Sequence, residues 1–437
     1  MHSYYNIIIR LTLPSIVSNI TVPLLGMVDL AITGHLDNEA YIGAIAVGGM
    51  LFNILYWMFA FLRMGTSGMT AQAYGEQDNS HITGTLYRGA AVAFIISTAM
   101  IVLSPLLFSG AMAFIQPSCE VRQLVARYFY ICIWGAPASL LLFVLNGWFI
   151  GMQNTRIPMA IAIFQNILNI LSSLFLVYGI GMKLEGIALG TVTAQWGGAA
   201  AAVYMLYRKY SGYISQKMSL KEMLRGGELR LFLTINRDIF FRTLCMISIH
   251  FFFISAGAKG GDTILAVNAV FMQFFTLYSY FIDGLAYAGE AMVGKAIGAK
   301  RVVDYRHTVR GLFVCGIVLT TLFTILYAFC NGWITRLFTD NAQVIACAGE
   351  YLHWTLFFPF CGMAAFIWDG IYIGATESRS MLASTLAGML MFFAIYLTLE
   401  GVYHNHALWV AFLCNLAMRG IVLTYMRKNI LSHHFST

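Results

Sequence analysis

Twelve long apolar runs, separated by short polar stretches, leave this chain few folds to choose from. They fall at about 11–34, 42–66, 83–108, 122–150, 157–179, 184–207, 232–257, 263–289, 306–330, 345–373, 380–401 and 404–426. As a helix, each run is long enough to cross a hydrocarbon core of about 30 Å. The alternating ten-residue segments of a membrane barrel are not what these runs look like. Only 10% of the 437 residues are charged and 59% are hydrophobic, whereas soluble domains carry about 25% charge. The expectation is an all-α polytopic membrane protein with twelve spans. The first run is too long for a signal-peptide core and has no small-residue cleavage site, so it counts as a span.

Charge is distributed by loop. With the N-terminus inside, nineteen Lys and Arg residues fall on the cytoplasmic side, Arg10, Arg88, Lys300, Arg301 and Arg419 among them. The opposite side holds five: Arg122, Arg127, Lys183, Lys259 and Arg336. The positive-inside rule then puts both termini in the cytoplasm. The net charge of +7 is this asymmetry and not a nucleic-acid footprint. The eight cysteines are scattered without metal or redox spacing and read as small apolar packing residues. No phosphate-binding loop, zinc-protease or serine-hydrolase motif occurs, so neither direct ATP drive nor an enzyme active site is expected.

The chain repeats itself. YFYICIWGAPASLLLFVLNGWFIGMQNT (128–155) lies over YLHWTLFFPFCGMAAFIWDGIYIGATES (351–378), placing Tyr128 on Tyr351, Asn146 on Asp369, Gly147 on Gly370 and Gly151 on Gly374. The Gly- and Thr-rich exit from the second run, 59–78, lies over 280–300 at the same spacing of 223. Two six-helix bundles follow, an N-lobe (1–207) and a C-lobe (232–437), joined by a basic cytoplasmic link (208–231). Because six is even, both bundles insert the same way, giving a parallel pseudo-two-fold repeat. That is an architecture of alternating-access carriers.

Ionisable residues at membrane depth are functional candidates. Asp29 stands out because it is the only deep acid of the first half. Pro23, six residues earlier, deprives the carbonyl of Asn19 of its helical donor and weakens the helix there. Burial penalises the charged carboxylate, so Asp29 suits a group that takes up and releases a proton. Polar residues of the same half are candidates to line a cavity with it: Asn19, Asn146, Asn166, Asn169, Thr191 and Gln195. Elsewhere, Arg63 and Arg242 are expected to snorkel or to form ion pairs. Asp283 is placed to pair with Arg242, Glu290 to be solvated at a helix end, and Asp369 is a candidate ion ligand. The 15% aromatic share and 23 Met suit a wall for flat organic cations.

Several blocks resemble the multidrug and toxic compound extrusion (MATE) transporters, in particular their DinF-like branch. They include VPLLGMVDLAITGHL (22–36), FLRMGTSGMTAQAYG (61–75), NGWFIGMQNTRIP (146–158), YFIDGLAYAGEAMVGKAIG (280–298) and WDGIYIGATESRS (368–380). The resemblance implies export of organic cations against an inward flow of H⁺ or Na⁺, with Asp29 as the coupling acid and Tyr128, Asn146, Asn169 and Thr191 beside it. Relatives often carry a second acid where this chain has Ser173, which favours H⁺ over Na⁺ in the N-lobe. Asp369 matches an acid implicated in Na⁺ coupling in another branch, and flipping of a lipid-linked precursor is the alternative function. The expectation is a monomeric exporter of the bacterial inner membrane that needs lipid and a coupling ion but no cofactor, metal or nucleic acid.

Overall fold

The apolar runs are helices, and the reading of the chain as all-α holds. The computed structural model describes residues 2–34, 39–214 and 226–435, and no strand occurs among them. In chain order the helices are α1 (His2–Gly34), α2 (Glu39–Met58), α3 (Phe61–Glu76), α4 (Asn79–Val102), α5 (Ser104–Ile115), α6 (Cys119–Cys132), α7 (Ala136–Gly151), α8 (Arg156–Leu174) and α9 (Leu184–Ile214). They continue as α10 (Gly226–Ala258), α11 (Asp262–Gly298), α12 (Val302–Phe338), α13 (Ala342–Tyr351), α14 (His353–Gly374), α15 (Ser378–Tyr403) and α16 (Asn405–Phe435).

Among the described residues, eleven stretches are long and apolar enough to cross a membrane. The expected span at 184–207 is not one of the eleven. Its helix α9 has 31 residues, ample length, but its Gly, Thr and Gln content dilutes its hydropathy. The second run also departs from its expected bounds. It breaks at Phe59–Ala60 and then resumes as α3, so the polar "exit" at 59–78 is a buried helix. Thr66, Ser67 and Thr70 of α3 are fully buried, because small residues let membrane helices approach closely.

By backbone packing the chain divides into a first unit, Val17–Phe232, and a second, Met1–Ile16 with Leu233–Thr437. Of the link, 208–214 continues α9 and 226–231 opens α10, while 215–225, with Lys217, Lys221 and Arg225, lies outside the described residues.

The 223-residue repeat is physical and runs the length of both units. Helix starts at Glu39, Asn79 and Cys119 recur at Asp262, Val302 and Ala342, each 223 residues on. Side chains one residue ahead of the last pair, Ser118 and Asn341, both cap their helices by accepting backbone N–H groups, as N-cap residues do. The left-handed backbone at Gln77 and Gln153 returns at Lys300 and Thr376. The tightest packing returns too. A Cβ on Gly147 would lie 2.2 Å from the carbonyl oxygen of Arg63, and one on Gly370 would lie 2.2 Å from that of Ala286. Gly151 meets the Ser67 carbonyl and Gly374 the Glu290 carbonyl in the same way, at 2.8 and 2.7 Å. Both units thus depend on two glycines, one helical turn apart, that let α7 or α14 lie directly on a neighbour's backbone.

Candidate functional site

Asp29 lies on α1, which runs through Pro14 and Pro23 with no break in its helical assignment. It is buried, 6% exposed, and its Oδ1 has no hydrogen-bond partner. Among the described residues no ion pair involves it. Its carboxyl faces the hydroxyl of Thr191 on α9. Asn169, on α8, donates from Nδ2 to Thr191 Oγ1 at 3.2 Å, and Thr191 donates to the Ile187 carbonyl at 3.1 Å. The hydroxyl that Asp29 faces is therefore held by two partners of its own.

Tyr128 and Cys132, one turn apart on α6, both stand close enough to feel the charge of Asp29. The Tyr128 ring can be there because position 48 is glycine, where a Cβ would fall 2.5 Å from it. Gln195, one turn beyond Thr191 on α9, is seated against Gly135 and neighbours the hydroxyl of Tyr56. Buried oxygens without a hydrogen-bond partner include Asn146 Oδ1, Asn169 Oδ1, Ser173 Oγ and Gln195 Oε1. Buried polar atoms normally find a partner, so these oxygens mark polar positions that the packing leaves unsatisfied.

Of the polar residues expected near Asp29, Thr191, Asn169 and Tyr128 are brought to it. Asn166 plays a different part, because its Nδ2 donates to the Thr21 carbonyl at 2.9 Å and stitches α8 to the backbone of α1 just ahead of Pro23. Ser173 packs on Gly190, where a Cβ would lie 2.2 Å from its Oγ, so a carboxylate at 173 would need α9 to move. Tyr56 and Cys132 were missed in the sequence; Cys132 was legible as the i+4 neighbour of Tyr128.

The acids of the second unit are arranged otherwise. Asp369, on α14, accepts through Oδ2 from Nη2 of Arg419 on α16 at 2.6 Å and also from Nη2 of Arg242 on α10. All three are buried, and Asp283 belongs to the same charge group. Four expectations are corrected here. Arg242 is bonded to Asp369 rather than to Asp283. Arg419, taken as a cytoplasmic loop charge, is 2% exposed inside α16, with room made for it by Gly388. Glu290, taken as solvated, is 1% exposed, because the Gly374 contact buries that stretch of α11. Arg88 is likewise not a loop charge: it is 1% exposed and paired with Glu228. Arg63 is half-buried on α3 and is engaged by other groups. Among the described residues no cluster of His, Cys, Asp and Glu suits a metal.

Duplicated helical bundles with a buried polar site in one of them define a multi-pass membrane carrier. The MatE family profile matches residues 14–175 and 239–397. The DNA damage-inducible protein F of Escherichia coli (strain K12) is 38% identical over 417 residues, covering 95% of this chain and 90% of that protein. A probable multidrug resistance protein NorM of Geobacillus kaustophilus is 24% identical over 450 residues, covering 98% and 95%. The crystal structure described as MATE in the straight conformation superimposes with a TM-score of 0.88 at 17% identity, over 98% of this chain and 96% of that one. The chain belongs to the MatE family of multidrug efflux transporters.

Proposed function

We propose that this transporter exports organic cations in exchange for inward-moving protons, acting as a monomer in the bacterial inner membrane with both termini cytoplasmic, and that Asp29 carries the proton. The observation that carries this reading is a buried carboxyl with no cation paired to it among the described residues, set among neutral groups. An ionised carboxylate at such depth is costly unless something neutralises it. A proton does so, and so does a cationic substrate, but the two exclude each other. Thr191 supports both forms. With Asp29 ionised, its hydroxyl turns to donate to the carboxylate; with Asp29 protonated, that proton returns to the Ile187 carbonyl and Thr191 Oγ1 accepts from the acid. Pro23 and the Asn166–Thr21 bond mark where α1 can yield as the charge changes. The driving force suffices, since about 2.3 kcal/mol per charge per 100 mV adds to about 1.4 kcal/mol per pH unit.

Na⁺ coupling at Asp369 is disfavoured, because an arriving cation would meet two guanidinium groups already on that carboxylate. Flipping of an anionic lipid-linked precursor asks for free basic residues, yet Arg88, Arg242 and Arg419 are each held by an acid.

The test is uptake of a fluorescent cation into inside-out vesicles, where export runs toward the lumen, with H⁺ and Na⁺ gradients imposed separately. Export should follow the pH gradient alone and fall at least about tenfold in Asp29→Asn, the loss that 1.4 kcal/mol of coupling represents. Undiminished pH-driven export in that variant would reject the assignment.

A further inference from the structure

The second unit holds a cavity of about 280 Å³ that none of the residues above explains. It lies where α10 turns into α11 and α15 into α16, at the end of α11 opposite the Lys300–Arg301 turn. Its polar wall is Lys259, Tyr351, Tyr396, Glu400, His404 and Asn405. Glu400 is aimed by Tyr396, whose hydroxyl donates to Oε1 at 2.6 Å. Its counter-ion is loose: Lys259 Nζ stands 3.8 Å from the same oxygen and is 68% exposed. A half-exposed pair at that distance is worth little, and a lysine in the turn after α10 can swing aside. What remains is an anchored carboxylate facing tyrosine rings in a small recess, the combination that takes an ammonium or pyridinium group. The repeat strengthens the case. Tyr351, the counterpart of Tyr128, lines the same recess as Glu400, as Tyr128 lies near Asp29 in the first unit.

We propose that this cavity is a second binding site for small organic cations, with Glu400 as counter-charge, Tyr351 and Tyr396 as walls, and Lys259 as the group that the ligand displaces. The choice of ligand class rests on the export reading; the site itself does not.

The experiment is therefore a binding titration without any gradient. Full-length protein carrying Asp29→Asn, in lipid nanodiscs, is titrated with a fluorescent N-methylpyridinium styryl dye. Its unmethylated pyridine analogue is titrated in parallel, in alkaline buffer that keeps it neutral. Saturable binding of the cation is expected, weakened about tenfold by Glu400→Gln and strengthened about threefold by Lys259→Gln, as an ion pair and cation–π contacts would give. The neutral analogue should bind at least about tenfold more weakly. Opposite signs from two neighbouring variants are not what a loss of folding produces. No saturable binding, shifts of the same sign, unchanged affinities, or equal binding of the neutral analogue would each overturn the site. Failure of proton-driven export would leave these affinities as they are, so the two readings can fail separately.

Discussion

The two units share a backbone and disagree about charge. At positions 223 residues apart they keep the same helix starts, the same capping positions and the same glycine contacts. Yet Asn146 of the first unit corresponds to Asp369 of the second, Asn19 to Arg242, and Trp196 to Arg419. The reverse holds around Asp29. Asp29, Asn169 and Thr191 correspond to Phe252, Phe392 and Cys414, and there Phe252 packs edge-on to Phe392 with ring centroids 5.8 Å apart. One unit therefore keeps an acid uncompensated, while the other surrounds its acid with two arginines and fills the equivalent of the first site with rings. Duplication conserved the packing that holds helices together and left each buried charge free to be coupled or neutralised.

That contrast breaks first at the two acids. Asp369→Ala strands two buried guanidinium groups and should cost about 3–5 kcal/mol, read as a large drop in apparent melting temperature of the detergent-solubilised protein. Asp29→Asn removes a buried acid that has no cation partner among the described residues, and should leave the melting temperature unchanged or raise it while export is lost. If both variants melt alike, Asp369 is not clamped in the way its geometry indicates.

Where the units agree, they should fail together. Gly147→Ala and Gly370→Ala each drive a methyl group into a backbone carbonyl, and overpacking of this kind costs about 1–3 kcal/mol. The two melting shifts should match in sign and size. A shift in only one would mean that the repeat is not equally tight in both halves.

Those glycines were legible in the sequence, because a repeat spacing survives even where hydrophobic residues interchange freely. The all-helical class and the depth of Asp29 were legible for a similar reason, since length and charge are read residue by residue, whereas the count of twelve spans exceeded the eleven found among the described residues. What escaped depends on which face a side chain takes. Arg419 was assigned to a loop although it lies inside the run 404–426, because a positive charge near a span end reads equally as a flank or as a buried partner. Only Asp369 and Arg242, distant in sequence, decide between them. The buried polar face of α3 was misread because Gly, Thr and Ser mark both turns and close helix packing.

A finer test separates the two equivalent pockets. Thr191→Val removes the hydroxyl that the Asp29 carboxyl faces, and loss of about 1 kcal/mol of hydrogen bonding should lower export about fivefold. Cys414→Val, at the matching position, should leave export unchanged. Equal effects would show that the polar pocket has no special part in coupling.

The smallest difference lies at the ends of the helices. Asn154 Nδ2 donates to the Tyr210 hydroxyl at 3.0 Å, whereas the matching pair in the second unit is Glu377 with His433 Nδ1 at 2.8 Å, joined by His434 at 3.5 Å. His434 and then His433 hold the Glu377 carboxyl below the ordinary glutamate range; His433 is nearer, but at 60% exposure against 22% its contribution is screened more. Because the folded protein lowers this pKa, the contact stabilises fully above the ordinary value and is lost as pH falls through the lowered one. With Glu377 in a turn and its partner exposed, the effect should stay below about 1 kcal/mol. Melting temperature followed from neutral to acidic pH should therefore decline slightly less in Glu377→Gln than in the parent, while Asn154→Ala should shift the whole curve without changing its slope. An identical acid-side slope in parent and Glu377→Gln would place the pH dependence elsewhere and remove this last distinction between the units.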